Sequence, residues 1–292
     1  MKATVLAGEA APPRWRTARR EIALDRSCVV GILNVTPDSF SDGGRYPTVE
    51  AAVSAARRMA GDGAAVIDVG GESTRPGAAR PGEAEEIRRV VPVVRAVAAL
   101  GLAVSVDTRR AAVAAAALEA GAEIVNDVSA LAGDPRMAEV VRAAGAGLVL
   151  MHMRGEPQTM DALARYGDVA AEVAAELAAR RDLALAAGVP REAVVLDPGL
   201  GFAKLPEHNL ALLGALDAVA ALGHPVMVGP SRKRFLGAVT GRPVDQRDAA
   251  TAAACVAARL RGARLFRVHD VAGVREALAV ADAILAAAPR AA

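Results

Sequence analysis

Cysteine, aromatic side chains and net charge are all in short supply in this chain, and each shortage removes a class of protein. Two cysteines in 292 residues leave no disulfide framework or thiolate metal cage to hold a fold. Cys28 and Cys255 fall in strand-like and helix-like surroundings and read as buried, reduced thiols. Aromatics make up 2% of the chain and the formal net charge is +2, so the basic face and stacking rings that nucleic acid requires are missing. No apolar run approaches the ~20 residues of a membrane span. Met1–Asp25 carries Arg14, Arg16, Arg19 and Arg20 in place of the continuous apolar centre of a secretory signal. These exclusions point to a cytoplasmic protein that handles a small molecule, with no nucleic-acid or membrane partner.

What the chain does have is apolar bulk: 53% of its residues are hydrophobic and 23% charged, enough for one large core. Short apolar runs alternate with longer alanine-rich stretches of helical period. Strands are expected at 28–34, 64–70, 103–107, 123–127, 147–152, 193–197, 225–229 and 263–269. Helices are expected near 49–61, 83–100, 110–120, 135–144, 168–187, 207–222, 245–262 and 271–288. Strands this uniformly apolar suit a parallel sheet covered on both faces. Eight strand–helix units in roughly the ~250 residues usual for that fold predict an α/β protein of the (β/α)8 TIM barrel type. A doubly wound open sheet is the other arrangement with this alternation. Residues 1–26 read as an N-terminal extension able to add a strand or hairpin, and residues 27–292 as a single barrel domain, since no linker or low-complexity tract divides them.

Polar residues concentrate where the strands end. Asn34, Asp68, Asp107, Asn126, His152, Asp197, Arg267 and His269 each end or nearly end a predicted strand, whereas the strand beginnings are mostly Ala, Gly or Pro. A single strand-terminal aspartate could be a helix N-cap or a turn residue, but the set matches the face on which barrels carry chemistry. After Asn34 the chain enters a loop of short polar side chains and glycine. The amide oxygen of Asn34 could hold a hard cation such as Mg2+ whose other positions stay with water or phosphate.

The motifs Gly31-Ile-Leu-Asn-Val-Thr-Pro-Asp-Ser-Phe-Ser-Asp-Gly-Gly44, Asp68-Val-Gly-Gly-Glu-Ser-Thr-Arg-Pro-Gly77, Ser105-Val-Asp-Thr108, Asn126-Asp127, Leu150-Met-His-Met153, Asp197-Pro-Gly-Leu-Gly-Phe-Ala-Lys204, Gly229-Pro-Ser-Arg-Lys233 and Arg267-Val-His-Asp270 occur in that order. Together they resemble the dihydropteroate synthase family, over residues 28 to about 280. The resemblance implies a barrel that joins 4-aminobenzoate to a dihydropterin carrying a diphosphate leaving group, as part of folate synthesis. It implies Asp107, Asn126, Asp197, Lys233 and Arg267 around the pterin. Carboxylate acceptors and an amide suit that ring edge, which mixes donors and acceptors. It places Thr74, Arg75, Pro76, Phe202 and Ser231 around the aminobenzoate, and Asn34, Arg267 and His269 at the diphosphate, with Mg2+ as cofactor on Asn34. Asp107, Lys233, Arg267 and His269 form the implied catalytic set. His152 is expected to line the pocket without moving protons.

The resemblance further implies a homodimer, for which the last two helices are apolar enough, and competition by aryl sulfonamides for the aminobenzoate position. The loops 36–46 and 72–81 are expected to be mobile without ligand. A pterin methyltransferase, a pterin-binding protein without turnover and a Schiff-base aldolase share parts of the pattern. The first would not be expected to carry the 73–76, 231–233 and 267–269 motifs together, the second would lack Asn34, Lys233 or the Arg75 loop, and the third needs a lysine on a strand. Arg109-Arg110, Glu156, Gln158 and the alanine-rich stretch 249–258 depart mildly from the family pattern.

Overall fold

Eight runs dense in Val, Ile and Leu line up as parallel strands, because burial on both faces rewards side chains that are apolar at odd and even positions alike. The structure, a computed structural model, describes residues 13–36, 48–72, 81–156 and 159–287. Its strands are β1 (Arg14–Arg16), β2 (Glu21–Ala23), β3 (Cys28–Asn34), β4 (Val66–Gly70), β5 (Ala103–Asp107), β6 (Ile124–Asp127), β7 (Gly147–Met151), β8 (Val194–Asp197), β9 (Met227–Val228) and β10 (Leu265–Val268). Its helices are α1 (Val49–Gly61), α2 (Glu83–Ala98), α3 (Ala111–Ala120), α4 (Met137–Ala144), α5 (Val169–Ala186), α6 (Pro206–Gly214), α7 (Asp217–Ala220), α8 (Arg234–Thr240), α9 (Asp248–Leu260) and α10 (Val271–Ala287). Strands β3 to β10 form one sheet in the order β8-β7-β6-β5-β4-β3-β10-β9, all parallel. A parallel bridge from Leu196 on β8 to Val226, the residue before β9, closes the ring. That closure selects the barrel over the open doubly wound sheet.

Local chemistry sets the helix limits. The Thr48 hydroxyl accepts from the Ala51 N–H at 3.2 Å to start α1, and the Asp168 carboxylate accepts from the Ala170 and Ala171 N–H groups, both at 3.0 Å, to start α5. These bonds satisfy donors that the first helical turn leaves free. The helix expected over 207–222 is interrupted instead: α6 ends at Gly214, and Ala215 leaves helical geometry before α7 begins. Glycine is the residue with most conformational freedom to lose inside a helix. The helix expected from 245 begins at Asp248, behind a 3-10 turn over Val244–Gln246. Helix α8 was not expected, because seven residues are too few for a period to register.

The alternation along each strand sorts side chains into two cores. Outward residues such as Leu33, Val69, Val106, Val125, Leu150, Leu196 and Phe266 pack with the helices. Inward residues Val30, Val66, Ala103, Ile124, Val149, Val195, Met227 and Leu265 fill the lower barrel. Trp15, 1% exposed, joins this inner cluster and donates its indole N–H to the Ala193 carbonyl at 2.8 Å. It sits on the hairpin β1–β2, paired in the register Arg14↔Ala23. The hairpin is tied down by Thr17 and Arg20, which both bond the buried Glu123 carboxylate, Thr17 at 2.8 Å and Arg20 Nη2 at 2.6 Å. Both cysteines are free and buried, and burial pushes each thiol up to about 12, in line with inert, reduced side chains.

Trp15→Ala removes the plug from below the barrel and leaves a cavity that rigid strands cannot close. It should lower unfolding free energy by about 3–5 kcal/mol, read as a shift of the urea midpoint.

Candidate functional site at the barrel mouth

Halfway up the barrel the next inward positions are Asp68, Ser105, Asn126, Asp197 and Arg267, while β3 and β7 continue with the apolar Ile32 and Met151. Strand register brings Asn34 level with Gly70, Gly70 with Asp107, and Asp107 with Asn126. Gly70 contributes no side chain, and a Cβ there would lie 3.6 Å from Asn34 Oδ1 and 3.7 Å from Asp107 Oδ2. Asn34 and Asp107 therefore flank a bare stretch of backbone. Asp197 ends β8, where its Oδ1 accepts from the Gly199 N–H at 2.7 Å.

Arg267 holds this layer together. Its Nε donates to Asp68 Oδ2 at 2.6 Å and its Nη2 to Asp107 Oδ2 at 2.7 Å. Asn126 Nδ2 also donates to Asp68 Oδ2, at 3.1 Å, while Asp68 Oδ1 and Asn126 Oδ1 are buried with no partner. Burial opposes the charge on Arg267, but Asp68 and Asp107 more than offset it and hold the guanidinium above its ordinary pKa. One cation shared by two carboxylates leaves excess negative charge. Burial pushes Asp107 up to about 7 against the pull of Arg267, with Asp68, Glu86 and Glu72 adding to the rise. Burial likewise lifts Asp197 to about 6, opposed by the Gly199 N–H and by Lys233 and Arg267.

The loop after β9 supplies the site's other cation. Lys233 Nζ lies 4.0 Å from the centroid of the Phe202 ring, a cation–π distance. Burial and Arg267 lower Lys233 to about 8, with Asp197 and Asp107 opposing. The neighbouring Gly201 has φ +78°, and a Cβ on it would meet Lys233 Cδ at 2.9 Å, so this position needs glycine for backbone and space alike. Ser231 Oγ lies 2.8 Å from His269 Nδ1 and accepts from the His269 N–H at 3.1 Å. Burial, Arg267 and Arg232 lower His269 to about 4. The imidazole is therefore neutral at physiological pH, and Ser231 is already joined to it. Arg232, between Ser231 and Lys233, is held at φ +57°. Its guanidinium bonds both Asp248 oxygens at 2.8 Å, its N–H donates to Thr251 Oγ1 at 3.1 Å, and its carbonyl accepts from Arg247 Nη1 at 3.1 Å.

Asn34, Asp107, Asn126, Asp197, Phe202, Ser231, Lys233, Arg267 and His269 thus all lie at or next to the carboxyl ends of the barrel strands. Thr74, Arg75 and Pro76 lie outside the described residues, as does most of the two loops expected to be mobile. Arg109 and Arg110 have clear tasks. Arg109 pairs with Glu72 at 2.5 Å, while Arg110 pairs with the buried Glu86 and donates to the Pro81 carbonyl at 2.8 Å. Sequence reasoning missed the roles of Asp68 and Lys204. Asp68 was visible as an inward position two residues before Gly70. Lys204 gave no such signal, because its partners come from distant segments: Nζ donates to the carbonyls of Gly199 at 3.1 Å and Phe202 at 2.9 Å and to His152 Nδ1 at 2.9 Å. His152 Nε2 lies 3.0 Å from the Glu176 carboxylate, which accepts and does not donate, so Nε2 carries the proton and Nδ1 accepts from Lys204, which burial lowers to about 7. His152 is a strut between loops.

Among the described residues no three His, Cys, Asp or Glu side chains gather as a metal site. A single amide oxygen at Asn34 fits a cation that arrives with phosphate oxygens and water, and does not fit one held by protein ligands alone.

The model of the family described as pterin binding enzyme matches residues 30–269. A dihydropteroate synthase of Mycobacterium leprae is 51% identical over 270 residues, spanning 90% of this chain and 95% of that one. The structure of the Xanthomonas albilineans dihydropteroate synthase with 4-aminobenzoic acid superposes with a TM-score of 0.89 at 46% identity, covering 96% of this chain and 100% of that one. The Thermus thermophilus enzyme in complex with 6HMPPP superposes with a TM-score of 0.81 at 47% identity, covering 93% of this chain and 99% of that one.

The raised pKa of Asp107 has a stability consequence of definite sign. A carboxyl that binds its proton more tightly folded than unfolded costs stability as pH rises from its unfolded value near 4 to its folded value of about 7. Asp107→Asn should therefore melt higher than the parent at pH 8, with the difference vanishing by pH 4, while turnover falls. Calorimetric melts across that range check it.

Proposed function

Since the chain belongs to the pterin binding enzyme family, we propose that the barrel mouth is its substrate site and that the residues there divide the work as follows. The enzyme is a transferase of folate biosynthesis: it joins 4-aminobenzoate to 6-hydroxymethyl-7,8-dihydropterin diphosphate and releases diphosphate. The pterin ring lies among Asp107, Asn126 and Asp197, with Lys233 donating to the ring carbonyl. The aminobenzoate stacks toward Phe202 beside Ser231 and the segment Thr74-Arg75-Pro76. The diphosphate meets Arg267, His269 and Asn34. The observation that carries this assignment is the level set of Asp107 and Asn126 joined through Asp68 and Arg267, in which the Asn126 Oδ1 acceptor is buried and unpartnered. An acceptor left bare in a protein interior costs stability unless a ligand N–H comes to it.

Chemically, the neutral aryl amine attacks the exocyclic methylene as the carbon–oxygen bond to diphosphate breaks, and the amine proton leaves to solvent. Positive character that develops on the methylene spreads into the ring, where the Asp107 and Asp197 carboxylates stabilise it. Arg267 keeps Nη1 free of the two carboxylates and can meet the departing oxygens. His269, neutral, serves as a hydrogen-bond partner, not as a charge. Mg2+ held through Asn34 Oδ1 would supply charge neutralisation on the diphosphate. No protein nucleophile is needed.

With Mg2+ and both substrates the purified protein should form dihydropteroate, and EDTA should suppress the rate. Aryl sulfonamide should compete with 4-aminobenzoate and not with the pterin diphosphate. Lys233→Ala removes a charge-assisted hydrogen bond of about 1.5–3 kcal/mol and should lower kcat/KM by roughly 10–100-fold with the melting midpoint kept. Full activity in that variant would remove Lys233 from the site.

The enzyme works in the cytoplasm as a homodimer built on α9 and α10. Supporting this, Val280 and Ile284 stand one turn apart on α10, each 59% exposed, with Leu260 on α9 also exposed. Among the described residues no helix is long and apolar enough to cross a membrane. Val280→Asp/Ile284→Asp should convert a dimer to a monomer in light scattering. A parent protein that is already monomeric would sink the proposal.

A further inference from the structure

Asp68 is 1% exposed at the centre of the barrel, and a single one of its oxygens carries both of its hydrogen bonds, to Arg267 Nε at 2.6 Å and Asn126 Nδ2 at 3.1 Å. The two ends of an asparagine amide are close to interchangeable in shape, so an isolated Asn126 could present either its oxygen or its NH2 to a ligand. A carboxylate paired with a guanidinium accepts and does not donate. Asn126 must therefore turn its NH2 toward Asp68, which leaves Oδ1 bare. With one N–H committed to Asp68, the free oxygen and the remaining N–H make up the rest of the planar amide. They form a fixed acceptor–donor pair.

We infer that Asp68 is a positioning residue that sets the hydrogen-bond polarity of Asn126. The pocket then takes a heterocycle edge with an amino donor beside a ring-nitrogen acceptor, and rejects an edge with a carbonyl in the amino group's place. The inference rests on the pterin reading of the site. It adds a reason why a 2-amino ring is selected over a 2-oxo ring of the same shape: against the 2-oxo edge, Oδ1 faces a carbonyl oxygen and stays unpaired. Arg267 takes part because its Nε fixes the Asp68 oxygen that Asn126 meets. Below lies the apolar layer of Val30, Val66 and Val149, and level with Asp68 on β5 stands the buried Ser105.

Calorimetric titration of 6-hydroxymethylpterin and 6-hydroxymethyllumazine into the parent and into Asp68→Asn tests this. The parent should prefer the 2-amino ring by at least about tenfold, the scale of one unpaired buried hydrogen-bonding group. In Asp68→Asn the new amide can meet either orientation of Asn126, so the preference should fall at least about fivefold. The KM for pterin diphosphate should rise while the KM for 4-aminobenzoate stays within about twofold, a split that general loosening of the barrel would not produce. An unchanged preference in a variant that keeps its thermal transition overturns the inference. Should Asp68→Asn lose that transition, Asn126→Ala replaces it, and there too an undiminished preference overturns it. A parent that binds both rings equally well also refutes the fixed polarity. A parent that binds neither ring refutes the pterin reading and this inference with it.

Discussion

A single guanidinium shared by two carboxylates organises the mouth of this barrel. Arg267 reaches from β10 to Asp68 on β4 and Asp107 on β5, across β3. Buried ion pairs of this kind are poor sources of stability, since desolvation offsets most of the attraction. Their value here lies in placement. Arg267 allows acidic groups to sit deep in a low-dielectric interior, where burial first, and the neighbouring Asp68 second, leave Asp107 with a proton affinity near neutral pH against the pull of the guanidinium. The negative surplus lies at the mouth of the barrel, and shifted proton affinities of this kind mark candidate sites of chemistry.

The depth of this charged layer depends on what fills the barrel below it. Trp15, on a hairpin outside the eight-strand repeat, packs against the inward residues Val30, Val66, Ile124, Val149 and Val195. With that end sealed, Asp68 and Asn126 meet no water from beneath, and every interaction above is stronger for it. The loop after β9 is set by a second network. Arg232 occupies a backbone region that costs roughly 1–3 kcal/mol for a residue with a side chain, and Asp248, Thr251 and Arg247 hold it there. The strain is localised between the two residues that face the site, Ser231 and Lys233. Release of it would move both.

Much of this was legible beforehand. The alternation of apolar runs and helical stretches specified eight strand–helix units, because parallel strands buried on both faces must be apolar throughout. Asn34, Asp107, Asn126, Asp197 and Arg267 stood out because polar residues at the ends of such strands have few uses other than chemistry. The short helix α8 did not register, since seven residues are too few to show a period, and the break after Gly214 was read through although glycine weakens a helix locally.

The sequence by itself determined the eight strand–helix units, the strand ends at which polar groups gather and the residue types assembled there, because periodicity and strand-end polarity are local properties of the chain; closure of the sheet into a barrel was decided by the bridge from Leu196 to Val226. Only the tertiary structure decided how those residues divide one another's hydrogen bonds: that Asp68 joins Arg267 to Asn126, that His152 is held by Lys204, and that Ser231 is tied to His269. These partners lie between 38 and 199 positions apart in the chain. Protonation, amide orientation and pKa follow from such contacts, and no local pattern encodes which of several polar strand ends will meet across a closed ring.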